Sequence, residues 1–307
     1  MATVTHDEAT GAAPAAARSS SRRWLKALLR NPAALLGLAI VTTVVLLAVF
    51  APQVAPHSPV QSNLRYAFRP PSWVSGGVEG YLLGTDALGR DILSRIIYGS
   101  RISLIVGLVV VVIQGGFGTL MGLLSGYYGG KLDAFLMRIA DVQLAIPFMI
   151  LAIAIMAVLG PSLTNVILVL SVTGWVTFAR VVRSEVLSVR QMDYVAAARA
   201  LGCGTGRILF KHILPNVAAS VIVIASLQLA RMIISEAALS FLGLGVQPPT
   251  PSWGGMVADG RSFVATHWWI ATFPALAVFV TVLGVNLLGD WVRDVLDPTL
   301  KDRPSRG

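Results

Sequence analysis

Gly202, Gly204 and Gly206, followed by Arg207, are the first residues in this chain whose types and spacing suggest chemistry, because glycine-rich turns cradle phosphate on backbone N–H groups. Neither nucleotide-binding pattern is completed. Arg207 stands where GxGxxG needs its third glycine and GxxxxGK[ST] its last one, so the chain is not expected to hydrolyse ATP by itself. The four histidines, His6, His57, His212 and His267, are scattered over tail and loops, and no conjugate nucleophile accompanies them. Cys203 is the single cysteine, which rules out an internal disulfide or a cysteine metal cluster. No catalytic residue, cofactor or metal site is therefore expected. Asp86, Arg90, Asp91 and Arg95 place acids and bases at helical spacing. Asp91 reads as a helix cap four residues before Arg95, worth about a few tenths of a kcal/mol, with a substrate contact as the sharper alternative.

The elements that hold these residues are membrane helices. Of the residues, 55% are hydrophobic and only 13% charged, against about 25% charged in ordinary soluble domains, and the mean hydropathy is +0.73. The net charge of +9 lies beside apolar runs and is not interleaved with exposed aromatics, so it fits anionic lipid rather than nucleic acid. Six apolar windows are long enough to cross as helices: 33–50, 102–124, 135–159, 163–182, 217–239 and 269–288. Arg18, Arg22, Arg23, Lys26 and Arg30 precede the first, which predicts that the N-terminus is cytoplasmic and, with six crossings, the C-terminus too. Lys131, then Arg183, Arg190, Arg199, Arg207 and Lys211, then Arg293, Lys301, Arg303 and Arg306 fall on the same side. On the other side Arg65, Arg69, Arg90, Arg95 and Arg261 are accompanied by Glu79, Asp86, Asp91 and Asp259. The first span is read as uncleaved, and residues 1–21 as disordered. The proline-rich segment between the first two spans, with Pro52, Pro56, Pro59, Pro70 and Pro71, cannot be helical throughout.

Polar and small residues within the spans carry the next expectations. Gly118, Gly122, Gly126 and Gly130 recur every four residues, so they share one side of a helix and permit close backbone approach. Arg138 and Asp141 form a candidate intrahelical pair, and Pro147 is expected to kink the third span. Arg231 and Glu236 lie about 140° apart around the fifth span and so do not pair with each other. Each is a candidate pathway-lining residue, with a location at the outer end of the span as the alternative. The long basic loop reads as a short helix from about Asp193 to Leu201, a glycine turn and a second helix from about Thr205, with Pro215 where the chain re-enters the membrane. Ala196, Ala197 and Ala198 let another protein surface come close.

This loop resembles the EAA loop of ABC importer permeases, in which a coupling helix enters a cleft of an ATPase subunit. Asp193, Tyr194, Ala197, Ala198, Arg199, Gly202, Leu214 and Pro215 carry the match, while Ala196 replaces the signature Glu and His212 its Ile. LGTDALGRDILSRIIYGSRISL, GYYGGKLDAFLMRIADVQLAIP, EAALSFLGLGVQPPTPSWGGM and NLLGDWVRDVLDPTL resemble, in the same order, the second (C-type) permease of the dipeptide, oligopeptide and nickel branch, covering about residues 30 to 302. The resemblance implies an all-α integral membrane protein of six transmembrane helices with the type I importer permease fold. The expected layout is a basic, disordered N-terminal segment (1–31), a first helix and outer segment (32–98), an ABC transmembrane type-1 domain (99–290) whose coupling loop is 183–215, and a cytoplasmic tail (291–307). It further implies a bacterial inner-membrane complex with a second, homologous permease, two ATP-binding subunits and an extracytoplasmic substrate-binding protein. Its cargo would be di- or oligopeptides, with nickel, glutathione and related small solutes as alternatives. A secondary transporter working without an ATPase is the competing function, but no inverted repeat relates the halves.

Overall fold

The computed structural model describes residues 28–296. The disordered segment expected at 1–21, the five basic residues before the first span apart from Arg30, and the tail beyond residue 296 lie outside them.

The main helices among the described residues are α1 (Pro32–Val49), α2 (Ile92–Tyr128), α3 (Gly130–Leu144), α4 (Phe148–Leu159), α5 (Leu163–Val189), α6 (Asp193–Ala200), α7 (Leu214–Phe241), α8 (Trp253–Gly260) and α9 (Trp269–Leu296). Their starts follow local chemistry. The Asn31 side chain accepts the Ala34 N–H ahead of Pro32 at the first turn. Asp91 caps α2 through the Ser94 N–H, Ser162 caps α5 and Ser252 caps α8.

Five segments among the described residues are long and apolar enough to cross a membrane, and there is a sixth span if α3 and α4 count as one. That pair departs from the single kinked helix expected over 135–159. The two helices meet at 86° across residues 145–147. Pro147 supplies no N–H at the break, and α3 carries Lys131, Asp133, Arg138 and Asp141, so the apolar run is confined to the 12 residues of α4. Such a helix is about 18 Å long, short of a hydrocarbon core about 30 Å thick.

The centre of the bundle is the packing of α2 against α5, the most extensive helix contact in the molecule, with α7 against α2 and α9, and α1 against α9. Val106, Val110, Met156, Val166, Leu170, Phe178, Met232 and Leu239 form its main core. A second core, from Leu123, Val182 and Val186 to Ile208, Ile213 and Val217, lies at the end that carries α6. At the opposite end, residues 50–91 fold over α2, α8 and α9 in turns with little helix. Trp269 Nε1 donates to the Thr85 carbonyl and Trp253 Nε1 to that of Ile96.

Candidate functional site

The connection between α5 and α7 begins with α6, two turns of helix at the bundle end. Its C-terminus closes in a Schellman turn: the Gly202 N–H donates to the Arg199 carbonyl and the Cys203 N–H to that of Ala198, each at 3.0 Å. Gly202 sits at φ +74°, which a residue with a Cβ rarely adopts. From Thr205 the chain is helical again, with a π-helical stretch over Ile208–Ile213. There the Leu214 N–H reaches Leu209 O, five residues back. The wide turn directly precedes Pro215, which has no N–H to offer to the preceding turn, and Asn216 Nδ2 covers the exposed His212 carbonyl at 2.6 Å.

This geometry divides α6 into two faces. Val195 and Ala198 are buried in the second core against Ile208, Ile213 and Val217. Ala198 therefore points into its own chain, a correction to its expected place beside Ala196 and Ala197 on an outward face. Asp193, Tyr194, Ala196, Ala197 and Arg199 face outward, flanked by Met192, Phe210 and Leu201, the last 83% exposed. The Arg199 guanidinium lies 5.6 Å from the Tyr127 ring centroid and so ties α6 to the end of α2. Arg190 Nη1 donates to the Gly126 carbonyl at 2.8 Å at that same helix end. Arg183 of α5 grips Asp133 of α3 at 2.5 and 2.6 Å, and Ser125 bonds the same carboxylate. Leu214 is partly buried and Pro215 exposed at the start of α7.

The glycine ladder lies in the α2–α5 contact. A Cβ on Gly118 would run into the Trp175 carbonyl oxygen, one on Gly122 would stand 2.6 Å from that of Ala179, and one on Gly126 2.7 Å from Val186 Cβ. Gly130 is outside this contact, at the start of α3 with φ +55° and open space around it. An equivalent crossing of α1 on α9, unmarked in the sequence, would bring a Cβ on Gly37 to 2.8 Å from Gly284 O. Single glycines in two distant helices give no periodic signal.

The two candidate pathway residues separate. Glu236 is fully buried and accepts hydrogen bonds from Ser240 Oγ (2.7 Å) and, across to α2, from Ser103 Oγ (3.1 Å). It thus ties α7 to α2 near the end of the bundle away from α6, and is buried rather than snorkelling to a surface. Arg231 is exposed on α7, with Gln228 Oε1 3.4 Å from Nη1. The intrahelical Arg138–Asp141 pair is not formed, since Asp141 pairs with Arg180 of α5 at 2.6 Å. Asp91 caps α2 as expected, but Arg95 turns to Asp86 and Asp259, each at 3.6 Å, and Arg90 joins the same two acids at 2.6 and 3.6 Å. Burial raises the Asp259 carboxyl above its ordinary range, while Arg95 and Arg90 pull it back. Among the described residues no cluster of His, Cys, Asp and Glu could hold a metal.

A helical bundle with a short exposed helix between its fourth and fifth long segments narrows the fold, and comparison with known proteins decides the family. Residues 118–302 match the binding-protein-dependent transport system inner membrane component model, and residues 19–71 match the N-terminal TM domain of oligopeptide transport permease C. The chain belongs to this permease family. Over 92% of its length it is 43% identical to the di/tripeptide transport system permease protein DppC of Pseudomonas aeruginosa (strain UCBPP-PA14), covering 94% of that protein. It is 45% identical to the dipeptide transport system permease protein DppC of Escherichia coli (strain K12), over 89% of this chain and 91% of that one. The oligopeptide transport system permease protein OppC of Bacillus subtilis (strain 168) is 40% identical over 95% and 94%. Among solved structures, an inward-facing form of the MetNI methionine ABC transporter aligns with a TM-score of 0.56 at 20% identity, covering 66% of this chain and 97% of that one, a likeness of fold. The permease is accordingly a multi-pass, all-helical membrane subunit with the type I ABC importer fold, of the C-type peptide permease group, and none of these findings favours a secondary transporter.

Proposed function

We propose that the permease forms half of the translocation pathway of an ATP-driven importer of di- or oligopeptides, with its N-terminus and α6 on the cytoplasmic side of a bacterial inner membrane. The observation that carries the coupling role is the exposed face of α6. Tyr194, Ala196, Ala197 and Leu201 stand clear of the bundle on a helix whose other face is packed into it and whose Arg199 reaches Tyr127 of α2, so a force applied to α6 reaches α2 and α7 directly. The occupant of that face is an ATP-binding subunit, which also supplies the hydrolysis that the chain's incomplete glycine pattern does not provide. A second permease, two ATP-binding subunits and an extracytoplasmic binding protein complete the working complex, and the transmembrane type-1 domain runs over 99–290. The names of the close relatives support peptides as cargo.

Alternating access then follows from population shift. Turning the complex from 1:99 to 99:1 outward-facing takes about 5.5 kcal/mol of differential binding, and α6 transmits this chain's share of it. Reconstitution tests the reading. Uptake of a short peptide into proteoliposomes should require both ATP and the binding protein, whereas uptake driven by an ion gradient without ATP would restore the secondary-transporter alternative.

A further inference from the structure

A cavity of 730 Å³ opens between α5, α7 and the last turn of α9, at the same end of the bundle as α6. Its size lies within the range of about 300–1,000 Å³ that accommodates small organic ligands. Glu185 of α5 and Arg293 of α9 both line it, with Ser184, Ser188 and Asn216 as neutral polar groups and Val223 on the apolar side. Glu185 is only partly exposed, and among the described residues neither it nor Arg293 takes part in an ion pair. The arginines of α5 near this cavity are already partnered, Arg183 by Asp133, Arg190 by the end of α2 and Arg180 by Asp141, and none of them lines it.

One unpaired carboxylate and one unpaired guanidinium facing a single cavity from different helices call for a ligand that carries both opposite charges. The partly buried Glu185 carboxylate is costly without a partner, and the exposed Arg293 guanidinium is free to match a carboxylate with two parallel donors. Between them the two hydroxyls and the Asn216 amide offer donors and acceptors to a peptide group. We propose that this cavity binds short peptides with free termini, Glu185 holding the α-ammonium and Arg293 the α-carboxylate. The proposal rests on the peptide-permease reading above and places a substrate site on the side where cargo leaves, distinct from Arg231 and Glu236.

The test uses the assembled transporter in lipid nanodiscs, free of nucleotide and of binding protein, titrated calorimetrically with dialanine, N-acetyl-dialanine and dialanine amide. On the unaltered protein each capped peptide should bind about tenfold more weakly than dialanine, a difference of about 1.4 kcal/mol. Glu185→Gln should weaken dialanine by the same factor yet leave N-acetyl-dialanine unchanged, and Arg293→Gln should spare the amide in the same way. Equal binding of all three peptides to the unaltered transporter, or no binding at all, overturns the site. So does an equal loss for capped and uncapped peptides in both variants, which marks a latch between helices instead. Stimulation of ATP hydrolysis by dialanine with the binding protein present separates the two levels. If it persists while the variants leave binding unchanged, the site fails and the peptide reading stands, whereas a transporter stimulated by no peptide loses both.

Discussion

The two ends of the bundle solve opposite problems with similar residues. At the end away from α6, Asp86, Arg90, Arg95 and Asp259 join in one network, Trp253 and Trp269 are buried with their N–H groups satisfied, and Glu236 nearby is held by two serines. At the α6 end, Tyr194, Leu201 and Phe210 are left in the open, and among the described residues Glu185 and Arg293 have no ion partners. Charge that is neutralised inside a chain closes a surface; large apolar side chains and charges without partners mark a surface that another molecule completes. The charge network of the first end is finished by its own chain, although Leu64 and Trp73 stand exposed there; the second end sets its exposed apolar side chains on and beside one short helix, α6.

The contrast can be broken most severely at the rod that joins the ends. Gly122→Leu puts a side chain where its first carbon already stands 2.6 Å from the Ala179 carbonyl oxygen, so α2 and α5 must separate. No folded permease should be recovered from the membrane by size-exclusion chromatography. Leu123→Ala, one residue on, removes a buried side chain beside Val182 and Val186 at a cost of about 2–5 kcal/mol, and should lower thermal stability while leaving a recoverable protein. Similar yields for the two variants would remove the ladder from its role.

A step smaller, Asp86→Ala strips a partner from Arg90 and from the buried Arg95 at the finished end, a loss of about 3–5 kcal/mol when one member of a buried pair is removed. The melting temperature should fall, more than for Asp259→Ala, whose carboxylate is half exposed. The reverse order would mean that Asp259 is the true centre of the network. Leu201→Asp has the smallest effect on the fold, since the side chain is 83% exposed. Membrane level and melting temperature should stay within those of the unaltered protein while ATP-driven uptake is lost, and unchanged uptake would move the docking surface away from α6.

How far the sequence showed this division depends on the range over which each feature acts. Capping by Asp91, the four-residue recurrence of Gly118, Gly122 and Gly126 and the glycine turn at Gly202 are local, and all are found where their spacing placed them. Partners chosen in three dimensions were not legible: Asp141 bonds Arg180 of another helix rather than Arg138, and Arg95 pairs with Asp86 in the turn before α2 and with Asp259 of α8 rather than with Asp91, whose carboxylate is taken by the cap. The orientation of Ala198 was lost for a related reason. Three successive alanines have no polarity to tell one face from another, and only the return of the chain through the π-turn at Ile208–Ile213 buries one and leaves two outside. The 86° break before Pro147 exceeds the kink a proline alone imposes, since the polar residues of α3 have no place in the apolar layer.

The central claim, that α6 is gripped by an ATP-binding subunit, is tested most directly by site-specific photo-crosslinking in native membranes. A photoreactive side chain is placed at position 197 or 201 of the assembled transporter, and the adducts are identified by mass spectrometry. Both positions should yield an adduct with an ATP-binding subunit. Adducts only with lipid or with the partner permease, or no adduct from either position, would contradict the assignment of α6.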